Sequence, residues 1–178
     1  MSGLKMSVDD INKYMKFDCN NFWLNLIYTN CYAFALGLDI PEKRIIKNAY
    51  QPGTIGANVF SISSEKFNRL TFEEKMEIDF KALNISAVQC QPTECSLFYY
   101  ENDMIIFQWI IALFYGSGCG FHFMRKNSSG YWWHKRGYYL EYPIDFDDNN
   151  CKIKDPRDCL INDYEYIKCL KLIYKEKR

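Results

Sequence analysis

From Ile85 onward the chain is a succession of short apolar and aromatic runs: Ile85–Gln89, Leu97–Tyr100, Ile105–Tyr115, Phe121–Lys126, Tyr131–Lys135 and Tyr138–Tyr142. Turn residues separate them: Pro92, Glu101-Asn102-Asp103, the glycines between Gly116 and Gly120, Ser128-Ser129-Gly130, and Gly137. Connections this short leave no room for crossover helices, so the runs must pair antiparallel. A last apolar element, Tyr164–Tyr174, is expected to close the sheet as a further strand. The longest run, Met104–Tyr115, holds about twelve residues with Gln108 inside it, against about 20 for a membrane span, so it reads as buried strand.

The first half reads as helices and loops. Ser7-Val8-Asp9-Asp10 looks like a capping box that opens a short helix, and Phe22–Tyr28 is an apolar stretch. Thr71-Phe72-Glu73-Glu74 is a second capping box. Phe72, Met76, Phe80 and Leu83 follow at helical spacing, with Glu73, Glu74, Glu77 and Asp79 expected on the solvated face. Ile40-Pro41 begins a loop, and Gln51-Pro52-Gly53-Thr54-Ile55-Gly56 is a strong turn signal that would rim a cleft or supply backbone donors. No repeat, low-complexity tract or linker divides the 178 residues, which are read as one domain with an α+β fold: N-terminal helices packed on a C-terminal antiparallel sheet.

Charge and cysteines narrow the function classes. Lys+Arg and Asp+Glu are both 22, so no excess of positive charge is available to hold a phosphate backbone, and nucleic acid is not expected as a partner. Nor is a membrane. The N-terminus lacks the apolar core of a signal peptide, so a cytoplasmic location, or export without such a signal, is expected. The eight cysteines are read as reduced thiols, without a Cys-x-x-Cys pair and without ligand spacing for zinc; no metal or cofactor is expected. The acidic run Asp145–Asn150 is read as a loop, since it lacks the spacing of a calcium loop.

The candidate chemistry lies in three residues. Asn30 or Thr29 can cap a short helix that Gly37 ends, which puts Cys31 in its first turn. There the backbone N–H groups favour a thiolate and can receive an oxyanion. The chain has only two histidines, His122 and His134, twelve residues apart across the turn Asn127–Gly130. A three-residue loop centred on Ser128 would set them directly opposite each other, about 5 Å apart at Cβ. Taken with Cys31, about ninety residues upstream, they supply a nucleophile, a base and an orienting partner.

This constellation resembles the NlpC/P60 branch of the papain-like cysteine hydrolases. The likeness rests on Asn30-Cys31-Tyr32-Ala33-Phe34 at a helix start, on His122-Phe123-Met124-Arg125 at a strand start, and on Tyr131-Trp132-Trp133-His134 across the hairpin. Asn-Cys-Tyr-Ala, Gln-Pro-Gly, His-Phe-x-Arg, Trp-x-His-Lys-x-Gly and a late Asp-Pro-Arg also look like a set of uncharacterised bacterial proteins of that superfamily. Tyr32-Ala33 stands where the family has Ser-Gly, and Asn30 where an Asp often precedes the cysteine. The resemblance implies a papain-like domain over 1–178, with Cys31 as nucleophile, His122 as base, His134 as orienter, and Asn30, Gln51 and Trp133 as substrate or oxyanion residues. It implies hydrolysis of an amide in a peptide or protein, a peptidoglycan peptide included, with no cofactor. Two other readings stand beside it on the same fold: a glutamine deamidase acting as toxin or effector, and a catalytically silent binding module whose groove is lined by Tyr131, Trp132, Trp133, Tyr138 and Tyr139. A redox protein using Cys90 and Cys95 is a further one. Oligomeric state stays open.

Overall fold

The computed structural model describes residues 30–37, 51–56, 67, 69–118, 120–127, 129–136 and 142–177. The helix expected from Ser7, the stretch Phe22–Tyr28, the loop at Ile40-Pro41, Cys19, Cys119 and residues 138–141 of the strand expected over Tyr138–Tyr142 lie outside them. Among the described residues two helices, α1 (Cys31–Leu36) and α2 (Phe72–Ala82), precede six strands: β1 (Ile85–Cys90), β2 (Leu97–Glu101), β3 (Met104–Gly116), β4 (Gly120–Lys126), β5 (Trp132–His134) and β6 (Glu165–Lys177). All pairs are antiparallel, in the order β1-β6-β3-β4-β5, and β2 pairs with β3. The fold is thus α+β, dominated by an antiparallel sheet.

β3 is the spine. Its thirteen residues run along β6 on one edge, while the other edge is shared by β2, opposite Leu97–Glu101, and β4, opposite Gly120–Arg125. The last strand does not close the sheet as expected. β6 lies inside it, between β1 and β3, because a long strand with apolar residues on both faces is stable only where both edges are paired.

The sheet has two buried faces. On one, Phe107, Trp109, Ile111, Leu113, Phe123 and Leu172 pack against α1 and α2. On the other, Ile110, Ala112, Phe114, Met124, Trp132 and Cys169 are covered by the segment 142–164, through Ile153 and Ile161. The period of two along each strand assigns odd residues of β3 and β4 to the first face and even ones to the second.

α1 has six residues, too few to be stable alone. Burial holds it: from Cys31 to Leu36 every residue is at most 7% exposed. Asn30 Oδ1 accepts the Ala33 N–H at 2.8 Å, and Gly37, at φ 72°, stops the helix in the left-handed region, with its N–H aimed at the carbonyls of Ala33 and Phe34. α2 opens with the expected capping box, Glu74 N–H to Thr71 Oγ1 at 3.2 Å and Thr71 N–H to Glu74 Oε2 at 2.7 Å.

One expectation about α2 is overturned. Asp79 does not join the solvated face; it is 0% exposed. Its carboxylate accepts the Tyr32 hydroxyl at 2.9 Å, the Gly53 N–H at 2.6 Å and the Gly56 N–H at 2.8 Å. Burial pushes its pKa up, and the N–H groups of Gly56 and Gly53 and the Tyr32 hydroxyl pull it back. One carboxylate therefore ties α1, the 51–56 turn and α2 together. The turn must come close to do this: a Cβ on Gly56 would lie 2.3 Å from the Ile78 carbonyl oxygen. Replacing Asp79 with Ala orphans three donors, two of them buried, so it is expected to destabilise the fold by roughly 3 kcal/mol, against about 1 kcal/mol for Tyr32→Phe. Urea unfolding followed by circular dichroism measures both.

Candidate functional site

Cys31 is the first helical residue of α1, 7% exposed, on the helix-covered face of the sheet. Burial pushes its thiol pKa up to about 11; the N–H groups of Phe123, Tyr32 and Cys31, with the charge of Lys135, pull in the opposite direction. The Phe123 contact follows from strand geometry. The Asn127 N–H donates to the Tyr131 carbonyl at 2.9 Å, so antiparallel alternation turns the N–H groups of the odd β4 residues toward β5. The described β5 pairing ends at Met124 opposite His134. Phe123 is the next odd residue, and its N–H is among the groups that favour a Cys31 thiolate.

The two histidines are not directly opposite. β4 and β5 pair as Lys126 with Trp132, Arg125 with Trp133 and Met124 with His134, so the loop spans Asn127–Tyr131 rather than three residues around Ser128. Asn127 sets that length, its side chain accepting the Tyr131 N–H at 3.0 Å. The longer loop makes His122 the diagonal neighbour of His134 on the same face, still within reach of an imidazole. The rings meet with His122 Nε2 2.9 Å from His134 Nδ1, and His134 Nε2 lies 3.0 Å from the Phe146 carbonyl oxygen.

That carbonyl fixes every proton in the chain. It can only accept, so His134 carries its proton on Nε2. In the neutral ring Nδ1 is then an acceptor, and His122 Nε2–H donates to it. The lone pair left over is on His122 Nδ1. Both rings are buried, His122 at 5% and His134 at 0% exposure. Burial lowers the His122 pKa to about 3, with the charges of His134 and Arg136 adding to the effect, and burial lowers that of His134 too, against the Phe146 carbonyl. The segment 142–164 supplies the carbonyl by extending the edge of β5: His134 and Ile144 exchange backbone hydrogen bonds at 2.9 Å, and the Trp132 N–H donates to the Ile153 carbonyl. Asp147 shapes it, its carboxylate accepting the N–H groups of Asn149, Cys151 and Leu160. Arg136 is ion-paired to Asp148.

All three expected residues thus gather at one end of the β4–β5 ribbon, but from opposite sides. His122 packs against Phe114 and Tyr164 on the second face, whereas Cys31 approaches the same strand from the first. No hydrogen bond joins the Cys31 thiol to an imidazole among those of the described residues.

Asn30 is committed to capping α1. The donors of the turn that begins at Gln51 serve Asp79 and the turn itself: the Gln51 N–H goes to Thr54 Oγ1 and its carbonyl accepts the Thr54 hydroxyl. Trp133 stands opposite Arg125 on the α1 side, and its neighbour Trp132 is 0% exposed in the second core. Sequence reading missed the burial of Lys135, 0% exposed and next in sequence to His134, and the Phe146 carbonyl. A lysine next to a core histidine was the signal for the first; a backbone group leaves none for the second. The six described cysteines outside position 119 and 19, Cys90 and Cys95 among them, are free thiols, and no group of metal-ligating side chains occurs among the described residues. No described helix is long and apolar enough to cross a membrane. A groove of about 500 Å³ between α2 and strands β1 and β6, lined by Met76, Glu77, Phe80, Lys81 and Lys168, holds none of the expected site residues. Compared with family models, with curated proteins and with solved structures, the chain matches none.

The low histidine pKa has a consequence for stability. An unfolded histidine titrates near 6.5, but folded His122 stays neutral down to about 3. The unfolded chain therefore binds more protons in this window, and stability falls as pH drops from 6.5 toward 3. Denaturant midpoints measured at pH 8, 6 and 5 are expected to fall in that order, with the loss between pH 6 and 5 smaller in His122→Gln; the raised Asp79 carboxyl acts in the opposite sense and is common to both proteins.

Proposed function

We propose that the protein is a cysteine hydrolase of papain-like type that cleaves an amide bond in a peptide or protein. Cys31 is the nucleophile, His122 the general base and acid, and His134 the orienting residue. The observation that carries this reading is the hydrogen-bond chain from His122 through His134 to the Phe146 carbonyl, which leaves His122 Nδ1 as a lone pair at the strand position next to Phe123. The N–H groups around the Cys31 sulfur add the means to stabilise negative charge there.

The resting charges set the course of the reaction. With the thiol pushed up to about 11 and His122 down to about 3, the free protein holds a neutral thiol and a neutral imidazole, not a preformed ion pair. The sulfur and His122 meet β4 from opposite faces, so the reaction requires substrate binding to bring the sulfur and His122 Nδ1 within reach around the edge of β4 that the β5 pairing leaves open beyond Met124. The thiol proton then passes to Nδ1 as sulfur bonds to the carbonyl carbon and the carbonyl electron pair moves onto oxygen. As the tetrahedral species collapses, the C–N bond breaks and the Nδ1 proton goes to the leaving nitrogen. Water, deprotonated by the same nitrogen, attacks the thioester and releases the acid and the thiol. His134 takes no proton in this scheme; it holds the ring of His122 in one tautomer.

Screening peptide amides, glutaminyl proteins and peptidoglycan peptides supplies the substrate for the decisive comparison. Turnover is expected to vanish in Cys31→Ala and His122→Ala, and to fall by about 10²- to 10⁴-fold in His134→Ala, the range for a displaced acid–base group. Mass spectrometry of quenched reactions should find the acyl group on Cys31. Turnover that survives in folded Cys31→Ala sinks the proposal.

A further inference from the structure

Two of the free thiols face each other across a strand pair. Cys90, the last residue of β1, stands directly opposite Cys169 of β6 in the antiparallel register that begins with Ile85 opposite Tyr174. Directly opposite residues point to the same face, and both side chains lie in the second core, with Ala112, Phe114 and Met124. The Cα atoms of such a pair are about 4.5 or 5.5 Å apart, depending on whether the two residues exchange hydrogen bonds, and a disulfide spans about 4.4–6.8 Å. Either kind of pair can be bridged without moving a strand. Cys95, which the sequence sets close to Cys90, lies beyond the turn at Gln91–Glu94 and is exposed. Cys159 gives its thiol to the Pro156 carbonyl at 3.2 Å. The end of β1 is also held in place. Lys126 Nζ donates to the carbonyls of Pro92 and Glu94 at 2.7 and 2.8 Å, and Lys171 Nζ to the Glu94 carboxylate at 2.6 Å, which ties the turn after Cys90 to β4 and β6. β1 needs such anchors, because it is an edge strand with only Ile85 and Cys90 buried.

We infer that Cys90 and Cys169 form a dithiol oxidation site, which a low-molecular-weight disulfide converts to a cross-strand bond between β1 and β6. Cys90, at the end of the edge strand, loses its proton and attacks one sulfur of the small disulfide. The S–S bond breaks, and the leaving sulfur departs with the electron pair and takes up a proton. Cys169, deprotonated in turn, attacks the Cys90 sulfur of the mixed disulfide and releases the second small thiol. Two protein thiols are thereby oxidised and one small disulfide is reduced to two thiols. Burial pushes both protein thiols up, Cys90 to about 11 and Cys169 to about 12, so the exchange is slow, and the same burial shields the product from reduction. The bond closes a loop of about eighty residues that contains β2 to β5 and both histidines. Neither sulfur enters the hydrolase scheme, so the oxidation site stands or falls independently of it.

The test incubates the intact, folded chain with excess oxidised glutathione, quenches it in acid, and maps its peptides by mass spectrometry without reduction. A peptide that joins Cys90 to Cys169, and that disappears on treatment with dithiothreitol, is the expected result. The thermal midpoint of the oxidised protein should lie about 5–10 °C above that of the reduced one. That rise should be absent in Cys90→Ala, which removes a residue at the end of an edge strand and spares the fully buried Cys169. Because the folded pair is shielded, the reduced, unfolded chain is also refolded in a glutathione buffer and mapped in the same way. The proposal is overturned if Cys90 is found joined to Cys95, or Cys169 to Cys159, or if both thiols take up iodoacetamide after unfolding in each of the two preparations. A failed hydrolase reading leaves the linked peptide in place, and a failed oxidation site leaves the acyl group on Cys31 in place.

Discussion

A single buried carboxylate decides where Cys31 stands. Asp79 takes donors from three separate stretches, Tyr32 of α1 and Gly53 and Gly56 of the turn, while α2 carries it. A carboxylate is costly to bury, and this one is tolerable because its lone pairs are met by short hydrogen bonds. The six residues of α1 have no other polar anchor of this kind to a neighbouring helix among the described contacts. Hydrophobic packing presses α1 onto the sheet, but packing alone is forgiving about rotation and slide. The Tyr32 hydroxyl bond is directional and sits one residue from Cys31, so it fixes the azimuth of the helix and with it the direction of the thiol.

The other half of the site is fixed by the β-ladder. Three consequences come from one register. Pairing Met124 with His134 puts both imidazoles on one face, makes them diagonal neighbours, and turns the Phe123 N–H outward at the point where the described pairing stops. A slip of one residue would send His134 to the helix-covered face and break all three at once. The loop that sets the register is held by Asn127, whose side chain occupies the Tyr131 N–H.

Much of this was legible in the sequence. The strands showed in alternating aromatic runs, the α2 start in Thr71 and Glu74, and the α1 limits in Asn30 and Gly37, because these depend on local chemistry. Asp79 was misjudged although it lies at i+3 from Met76 and i−4 from Leu83, inside the apolar stripe; a charge in that position is the mark of a buried one with partners, and the partners were 23 to 47 residues away in sequence. The loop length was misjudged because Asn127–Gly130 suits loops of three or five residues equally, and only the Asn127 side chain bond separates them. The place of β6 inside the sheet was not legible at all, since nothing local records which strand a C-terminal strand will join. Cys31 was found by its cap, but not the fact that it meets β4 from the side away from His122, which depends on how α1 is docked.

The histidine chain ends on a peptide group. Because the acceptor for His134 is the carbonyl of Phe146, it cannot be deleted by any change of side chain. What has to be preserved is the path of the backbone there, which rests on the Phe146–Lys152 bridge and on the Asp147 carboxylate gathering three N–H groups from Asn149 to Leu160. Selection on this part of the site would therefore act on the geometry of a strap and leave residue 146 itself free to drift. Relatives of such a protein would share two histidines and a bent loop with an inward acid, while the group that decides the proton's place goes unrecorded in their sequences.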